Sequence, residues 1–368
     1  MTQELGREAL SELLRAEHVE PLSARELVVS AREEISDFLP DGVYEIDPRN
    51  GDRILYHSSR GTRPHDNVLE SRADIPVREC AICRGETTQV VDVAELSEGF
   101  TFVNQNLFPI LYPFEGEGLA SGLHFLQWTS SQHDKDWHNM PLCDLVVVME
   151  RLAALERVLL DGSGGLPLVE HLEDVPDDRG FVLIVKNYGH LVGGSLTHGH
   201  QQVAFSNVMP RRFRDNWLFR REHGEPFSAY LLRENPSDLV VKDYGPASLV
   251  VPYFMRRPYD MALLVKDATS QYLHQLSQLE LEAVAEGWRD GIRAIHEIMP
   301  KMGREIAYNV IINNGPGAGL YVEFLPYTQE IGGVEHLGLI VCQELPERAA
   351  VRLREVVLQR GETCTSDS

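Results

Sequence analysis

One order of elements, strand, strand, helix, strand, strand, is written twice along this chain, and that repetition narrows its fold more than any other feature. The first copy, at about 100–170, opens with TFVNQN and HFLQWTS. A helix near 143–160 follows, with Leu145, Val148, Met149, Leu152, Leu155 and Leu159 on one stripe. GSGG at 162–165 breaks that helix, and two apolar strands come next, FVLIVKN (181–187) and HQQVAFSNV. The second copy, at about 245–328, runs through ASLVVPYF, MALLVKD, a long helix from Gln271 to Met299, IAYNVIINN and LYVEFLPY. A duplicated small unit of this kind predicts an α+β fold of two tandem halves, each an antiparallel sheet with packed helices.

The flanking segments are simpler. Residues 1–42 read as an acidic helical arm, with Leu10, Leu13 and Leu14, then Leu27, Val28, Ala31 and Ile35, at helical spacing before the turn-forming DFLPDG. VYEIDPRNGDRILYH reads as a hairpin turning at Asn50-Gly51. The stretch 206–245 reads as polar and irregular, and 359–368 as a disordered tail. The division expected is therefore an arm (1–42), a first half (43–210), a second half (211–358) and the tail.

Charge excludes some partners. Lys and Arg total 34 against 56 Asp and Glu, a formal net charge of −22. A polyanion repels nucleic acid and anionic membrane, so neither is expected as a partner. A small phosphorylated ligand needs only a local pocket of donors and stays possible. No run of about 18 apolar residues is present, and the start, MTQELGREALSELL, has no signal-peptide core, so the expected location is cytoplasmic. Five cysteines make no disulfide framework, but Cys80 and Cys83 form a C-x-x-C pair of the metal or redox type.

The densest chemical signal is GGSLTHGHQQ, residues 193–202, between two strands. Its glycines allow close backbone approach, and Ser195, Thr197 and backbone N–H groups can hold phosphate oxygens. His198 and His200 are expected to face apart and to take different tasks. The second signal is Cys80-Ala81-Ile82-Cys83-Arg84-Gly85-Glu86, whose two thiolates suit tetrahedral zinc. A redox role would need C-x-x-C to open a helix beside a parallel sheet, and the following RGE reads as a turn. Zinc needs two more ligands: His198 is a candidate, and His133 and His138 in SSQHDKDWHNM compete for the other place.

The combination of C-x-x-C-x-G-E, a distant S-x-H-D-K and H-x-H-x-Q resembles the galactose-1-phosphate uridylyltransferase family, a branch of the histidine-triad superfamily. DPRNGDRILYHSSRGTRP, NQNLFP and KNYGHLVGGS resemble further family segments in the same order, over about 43–210 and more loosely over 245–350. The resemblance implies two histidine-triad-like halves and a covalent nucleotidyl-histidine at His200, with Gln202 on the phosphate oxygen. It implies one structural zinc held by Cys80, Cys83, His133 and His198. It places Asn187, Gly193, Gly194 and Ser195 at the phosphates, Arg60 and Arg63 as positive charge and Asn106 near the nucleoside. It further implies a nucleotide sugar, a phosphorylated small-molecule acceptor and a homodimer. Lys186 is expected to add positive charge to the same pocket.

Departures from the family pattern bear on the acceptor. H-P-H-x-Q reads H-G-H-Q-Q here, so Gly199 is expected to loosen the loop, and Gln201 stands where a small residue is usual. Tyr321 and Glu323 stand where a histidine pair binds another metal in many members, and Asn216 stands near the place of its carboxylate ligand, so no second metal site is expected. In the sugar-binding stretch, EIGGVEHLGLIVCQELPE, Glu335 and Gln343 keep their places while the family's Tyr and Lys do not line up. The leading expectation is transfer of a nucleoside monophosphate from an NDP-sugar to a sugar 1-phosphate. The alternatives are phosphorolysis or hydrolysis of a nucleoside-diphosphate sugar or a dinucleotide through the same histidine, and a non-catalytic nucleotide-binding protein.

Overall fold

The computed structural model describes residues 18–36, 38–48, 52–57, 80–116, 118–161 and 180–358. Expectations for the first arm helix, the Asn50-Gly51 turn, Arg60, Arg63, the 162–165 break and the tail lie outside these residues. In chain order the elements are α1 (Ala24–Glu34), β1 (Tyr44–Ile46), β2 (Arg53–Leu55), β3 (Val90–Glu95), β4 (Phe100–Gln105), β5 (Gly122–Trp128) and α2 (Leu142–Leu160). Then come β6 (Phe181–Tyr188), β7 (His200–Ser206), α3 (Arg211–His223), α4 (Phe227–Glu234), β8 (Val240–Asp243), β9 (Ala247–Val250) and β10 (Met261–Val265). The last are α5 (Gln278–Lys301), β11 (Tyr308–Asn313), β12 (Tyr321–Pro326) and α6 (Pro346–Leu358).

The fold is α+β. Ten strands form one antiparallel sheet in the order β3-β4-β5-β7-β6-β11-β12-β10-β9-β8, while β1 and β2 pair apart as a hairpin. Read inward from each edge, β8-β9-β10-β12-β11 follows the same connectivity as β3-β4-β5-β7-β6, and the two sets meet where β6 pairs with β11. The repeated order is thus present, but its first copy runs from Phe100 to Ser206 rather than ending near 170.

Alternation along the strands decides the two faces. Phe125, Val182, Ile184, Val203, Phe205, Val310, Val322 and Phe324 pack with the apolar stripes of α2 and α5 into one core. α5 begins later than expected, at Gln278, because Ser277 caps it: its hydroxyl accepts from the Glu280 N–H while Glu280 accepts from the Ser277 N–H at 2.8 Å. Such a capping box stabilises a helix start by about 1 kcal/mol. Segment 206–245, expected to be irregular, contains α3 and α4. Pro210 and Pro226 stand immediately before them, where the missing N–H costs nothing, and Gly224 ends α3 in the left-handed conformation. Polar composition hid α3, which buries only Asn216, and α4 is a helix of 8 residues. Among the described residues no helix is long and apolar enough to cross a membrane.

Under the core, Trp288 of α5 stacks on Trp137 with ring centroids 4.7 Å apart, both fully buried. Trp288→Ala is expected to cost about 3–5 kcal/mol, read as a lower urea midpoint at unchanged slope.

Candidate functional site

The C-x-x-C segment is a tight knuckle. Residues 82–84 make a 3₁₀ turn, and Gly85, at φ 79°, reverses the chain where a side chain would be strained. Ile82 anchors the knuckle on the sheet by packing with Val93, Phe100, Phe102, Leu126 and Trp128. Cys80, Cys83, His133 and His198 converge there, with all four ligand atoms within 4.8 Å of one another. The His133 Nδ1 to Cys83 Sγ distance is 3.3 Å, and His198 Nδ1 lies 3.6 Å and 3.7 Å from Cys80 and Cys83. Tetrahedral zinc with two thiolates and two imidazoles needs S to N edges of about 3.5 Å, so these residues fit that ion. His198 Nε2 donates to the Ser130 carbonyl at 2.8 Å, which leaves the Nδ1 lone pair for a metal. Burial, with Cys80 alongside, pushes the Cys83 thiol up to about 12, so it is a cation that would make this pair thiolates. His138 does not compete: it stacks on His296 at 4.1 Å. A second group, His18, Glu20 and Asp92, is already joined by a cation, because Arg151 bonds both Asp92 and Glu20.

His198 and His200 do not face apart. Residues two apart in extended chain share a side, and both rings lie against Trp128, at centroid distances of 5.3 Å and 5.1 Å. Their tasks differ through their tethers. His200 Nδ1 donates to the His198 carbonyl at 2.8 Å, which leaves the lone pair on Nε2. Burial holds the ring neutral by lowering its pKa to about 4. Gln202 follows on the same side of β7, and its Oε1 lies 3.2 Å from His124 Nε2. Asn106 stands beside the His124 ring, its Nδ2 3.2 Å from Nδ1, and its Oδ1 accepts from the Phe108 N–H.

Beneath this segment is a buried ion pair. Lys186 Nζ reaches Asp136 at 2.8 Å, both side chains almost fully enclosed. Lys186 therefore does not face the predicted phosphate pocket; it lies on the helix-covered side of β6 and donates to the His200 carbonyl at 3.3 Å. Burial alone would raise the Asp136 carboxyl, but Lys186 overrides it and holds the group below its ordinary value. The pair explains Gly199: a Cβ there would sit 2.6 Å from Asp136 Cγ. The loop is clamped rather than loosened, since the Thr129 N–H donates to the Gly199 carbonyl at 2.9 Å. Gln201 is a buried strut, accepting from Thr129 and donating to Gln127.

The 187–195 loop turns back on itself. Gly194 N–H donates to Gly189 O at 3.0 Å and Gly193 N–H to His190 O at 3.2 Å, so these two amides close the turn rather than face outward. Asn187 shares the sheet side of Gln202 and accepts at Oδ1 from Asn309 of β11 at 2.7 Å. Ser195 follows the turn, half-buried. At the far end of the same face, Tyr321 is buried with its hydroxyl 3.4 Å from Asn216 Oδ1. Glu323 accepts from Asn313 and pairs with Arg212. Glu335 accepts from the Gly332 N–H, closing a local turn, and Gln343 is exposed with its backbone N–H on Gln329. Among the described residues, neither side chain hydrogen-bonds to the His200 strand.

Trp128, His124, Asp136 and Asn309 escaped sequence reading. HFLQWTS carried a usable signal, because His124, Leu126 and Trp128 alternate onto one side of a strand.

No protein-family model matches the chain. The ADP-glucose phosphorylase of Arabidopsis thaliana is 23% identical over 193 residues, 50% of this chain and 54% of that protein. The chain thus spans about half the length of the curated relative it matches. A solved uridylyltransferase superposes with a TM-score of 0.66 at 18% identity, covering 87% of this chain and 99% of that one. The fold is that of the uridylyltransferases. The Arabidopsis thaliana ADP-glucose phosphorylase crystallised with bound ADP-glucose shares this uridylyltransferase fold, with a TM-score of 0.61, 16% identity and coverage of 86% and 99%. A GalT-like protein of Arabidopsis thaliana shares it with a TM-score of 0.60, 16% identity and coverage of 85% and 99%. The sequence resemblance therefore holds at the level of fold.

Two substitutions test the clamp. Lys186→Met leaves the Asp136 carboxylate buried and unpaired, an expected loss of about 3–5 kcal/mol in chemical denaturation. Adding Asp136→Leu to it is expected to recover most of that loss.

Proposed function

We propose that this protein is an enzyme that moves a nucleoside monophosphate from a nucleotide sugar to a phosphorylated acceptor through a covalent intermediate on His200. The observation that carries the reading is the tether of His200: Nδ1 gives its proton to the His198 carbonyl, so Nε2 is the nucleophilic nitrogen. In the first displacement Nε2 forms a bond to the α-phosphorus while the bond from that phosphorus to the β-bridging oxygen breaks. The electron pair leaves with the sugar 1-phosphate. In the second, a phosphate oxygen of the acceptor forms the new bond to phosphorus and the bond to Nε2 breaks, restoring neutral His200. Gln202, Asn187 and Ser195, with Arg60 and Arg63 by resemblance, hold the phosphoryl oxygens where negative charge builds. Asn106 stands at the nucleoside. Zinc, when bound to Cys80, Cys83, His133 and His198, would supply a closed four-ligand clamp on the loop before the nucleophile.

The acceptor divides two readings. With a sugar 1-phosphate the enzyme is a nucleotidyltransferase like the uridylyltransferases it resembles. With inorganic phosphate it is a phosphorylase, and the sequence match to an ADP-glucose phosphorylase favours that reading. The departures at the sugar-binding stretch point the same way. We further propose a cytoplasmic homodimer, in which 43–210 is the catalytic half and 211–358 a degenerate half with Tyr321 and Glu323 in place of a histidine pair. The mirrored strand order supports that division.

Intact-protein mass spectrometry after incubation with ADP-glucose or UDP-glucose is expected to find one nucleotidyl adduct, absent from His200→Ala. An adduct that persists in the variant would overturn the assignment of His200. Adding either inorganic phosphate or a sugar 1-phosphate to the labelled enzyme identifies the acceptor by which one discharges it. Metal analysis is expected to find one zinc per chain, lost with a fall in Tm in Cys83→Ala.

A further inference from the structure

Resting on the reading above, we infer that His124 and Asn309 are positioning residues that fix which end of the Gln202 and Asn187 amides meets the phosphates. An amide can present either an acceptor oxygen or two N–H donors, and only the donor end suits phosphate oxygens. In both cases a backbone group that cannot change its role decides the orientation.

At Gln202 the chain of logic begins with Ile110. Its N–H can only donate, and it lies 3.0 Å from His124 Nδ1, so Nδ1 is the acceptor nitrogen. The proton of neutral His124 is then on Nε2, and its partner at 3.2 Å must be an acceptor, Gln202 Oε1. The NH₂ group of Gln202 is left to turn toward the site. His124 is itself buried, which keeps this ring in one orientation. At Asn187 the fixed point is the Val192 carbonyl, which can only accept. It takes a hydrogen bond from Asn309 Nδ2 at 3.1 Å, so the nitrogen end of Asn309 points that way. The same Nδ2 reaches Asn187 at 2.7 Å, which must be the acceptor Oδ1. The NH₂ of Asn187 is again left over, on the sheet side shared with Gln202.

Two amides thus offer four N–H donors on one side of the sheet, with their polarity set before any ligand arrives. Asn309 belongs to β11, beyond the seam, so the second set of strands supplies a part of the first set's site. Residue types alone do not reveal this, because a histidine and an asparagine far apart in sequence become relevant only through the pairing of β5, β7, β6 and β11.

The test uses the full chain and ADP as the probe, with binding measured by calorimetry. Losing one orienting partner is expected to weaken ADP binding about 10-fold in His124→Ala and in Asn309→Ala. His124→Gln, whose amide can still donate to Gln202 Oε1, is expected to stay within about 3-fold of wild type. Discrimination between the two diastereomers of ADP bearing sulfur on the α-phosphate separates orientation from mere stability. That ratio is expected to change about 10-fold in His124→Ala and not in Trp288→Ala, which only lowers Tm. Unchanged ADP affinity and unchanged diastereomer ratio in both alanine variants would overturn the inference, as would a wild type that binds no ADP. Failure of the covalent reading is seen separately, as ADP binding by wild type with no nucleotidyl adduct.

Discussion

A carboxylate and an ammonium buried together, Asp136 and Lys186, hold the piece of backbone on which the site is built. Charges removed from water are costly unless paired and met by further donors, and here the Trp137 N–H supplies one to Asp136. The pair has two effects on the His198–His200 segment. It occupies the space beneath residue 199, which excludes a side chain there, and it grips the His200 carbonyl from below. Rigidity that a proline would give through its ring comes instead from packing and hydrogen bonds underneath.

From that fixed backbone two histidines diverge in role without diverging in direction. Trp128 lies beside both rings, and what separates them is the partner of one nitrogen in each. The His198 ring gives Nε2 to a carbonyl and keeps Nδ1 for the Cys80–Cys83 knuckle; the His200 ring gives Nδ1 to a carbonyl and keeps Nε2. The tautomer, set in each ring by a backbone oxygen, leaves the lone pair on Nδ1 of His198 and on Nε2 of His200, the division that the proposed ligand and the proposed nucleophile need.

Much of this was legible in the sequence, for reasons that can be named. The apolar stripes of α2 and α5 and the continuous runs in β6, β7, β10, β11 and β12 follow directly from burial, so the α+β class and the repeated order were readable. The Cys80–Cys83 pair was readable as a metal site because a C-x-x-C knuckle suits tetrahedral zinc, while the choice of His133 over His138 rested on the family resemblance. What stayed hidden depends on long-range contact. Gly199 looked like a source of looseness because Asp136 lies 63 residues away in sequence. Lys186 looked like a phosphate ligand because strand parity alone does not say which face the helices will cover. Helix α3 carried no apolar periodicity to stand out from a polar loop, and α4, though apolar at Phe227, Tyr230 and Leu231, spans only two turns.

The seam between β6 and β11 has a meaning for how the molecule can have been assembled and how it can be taken apart. Each set of five strands ends at that seam in an interior strand, apolar on its helix side except for the paired Lys186 and hydrogen-bonded to its neighbour across the seam. Separated there, each piece would present a long unpaired edge, the kind of surface that recruits other chains. The two sets are therefore one cooperative unit, and a duplicated ancestor of this sheet would itself have needed a second copy of itself to cover the same edge.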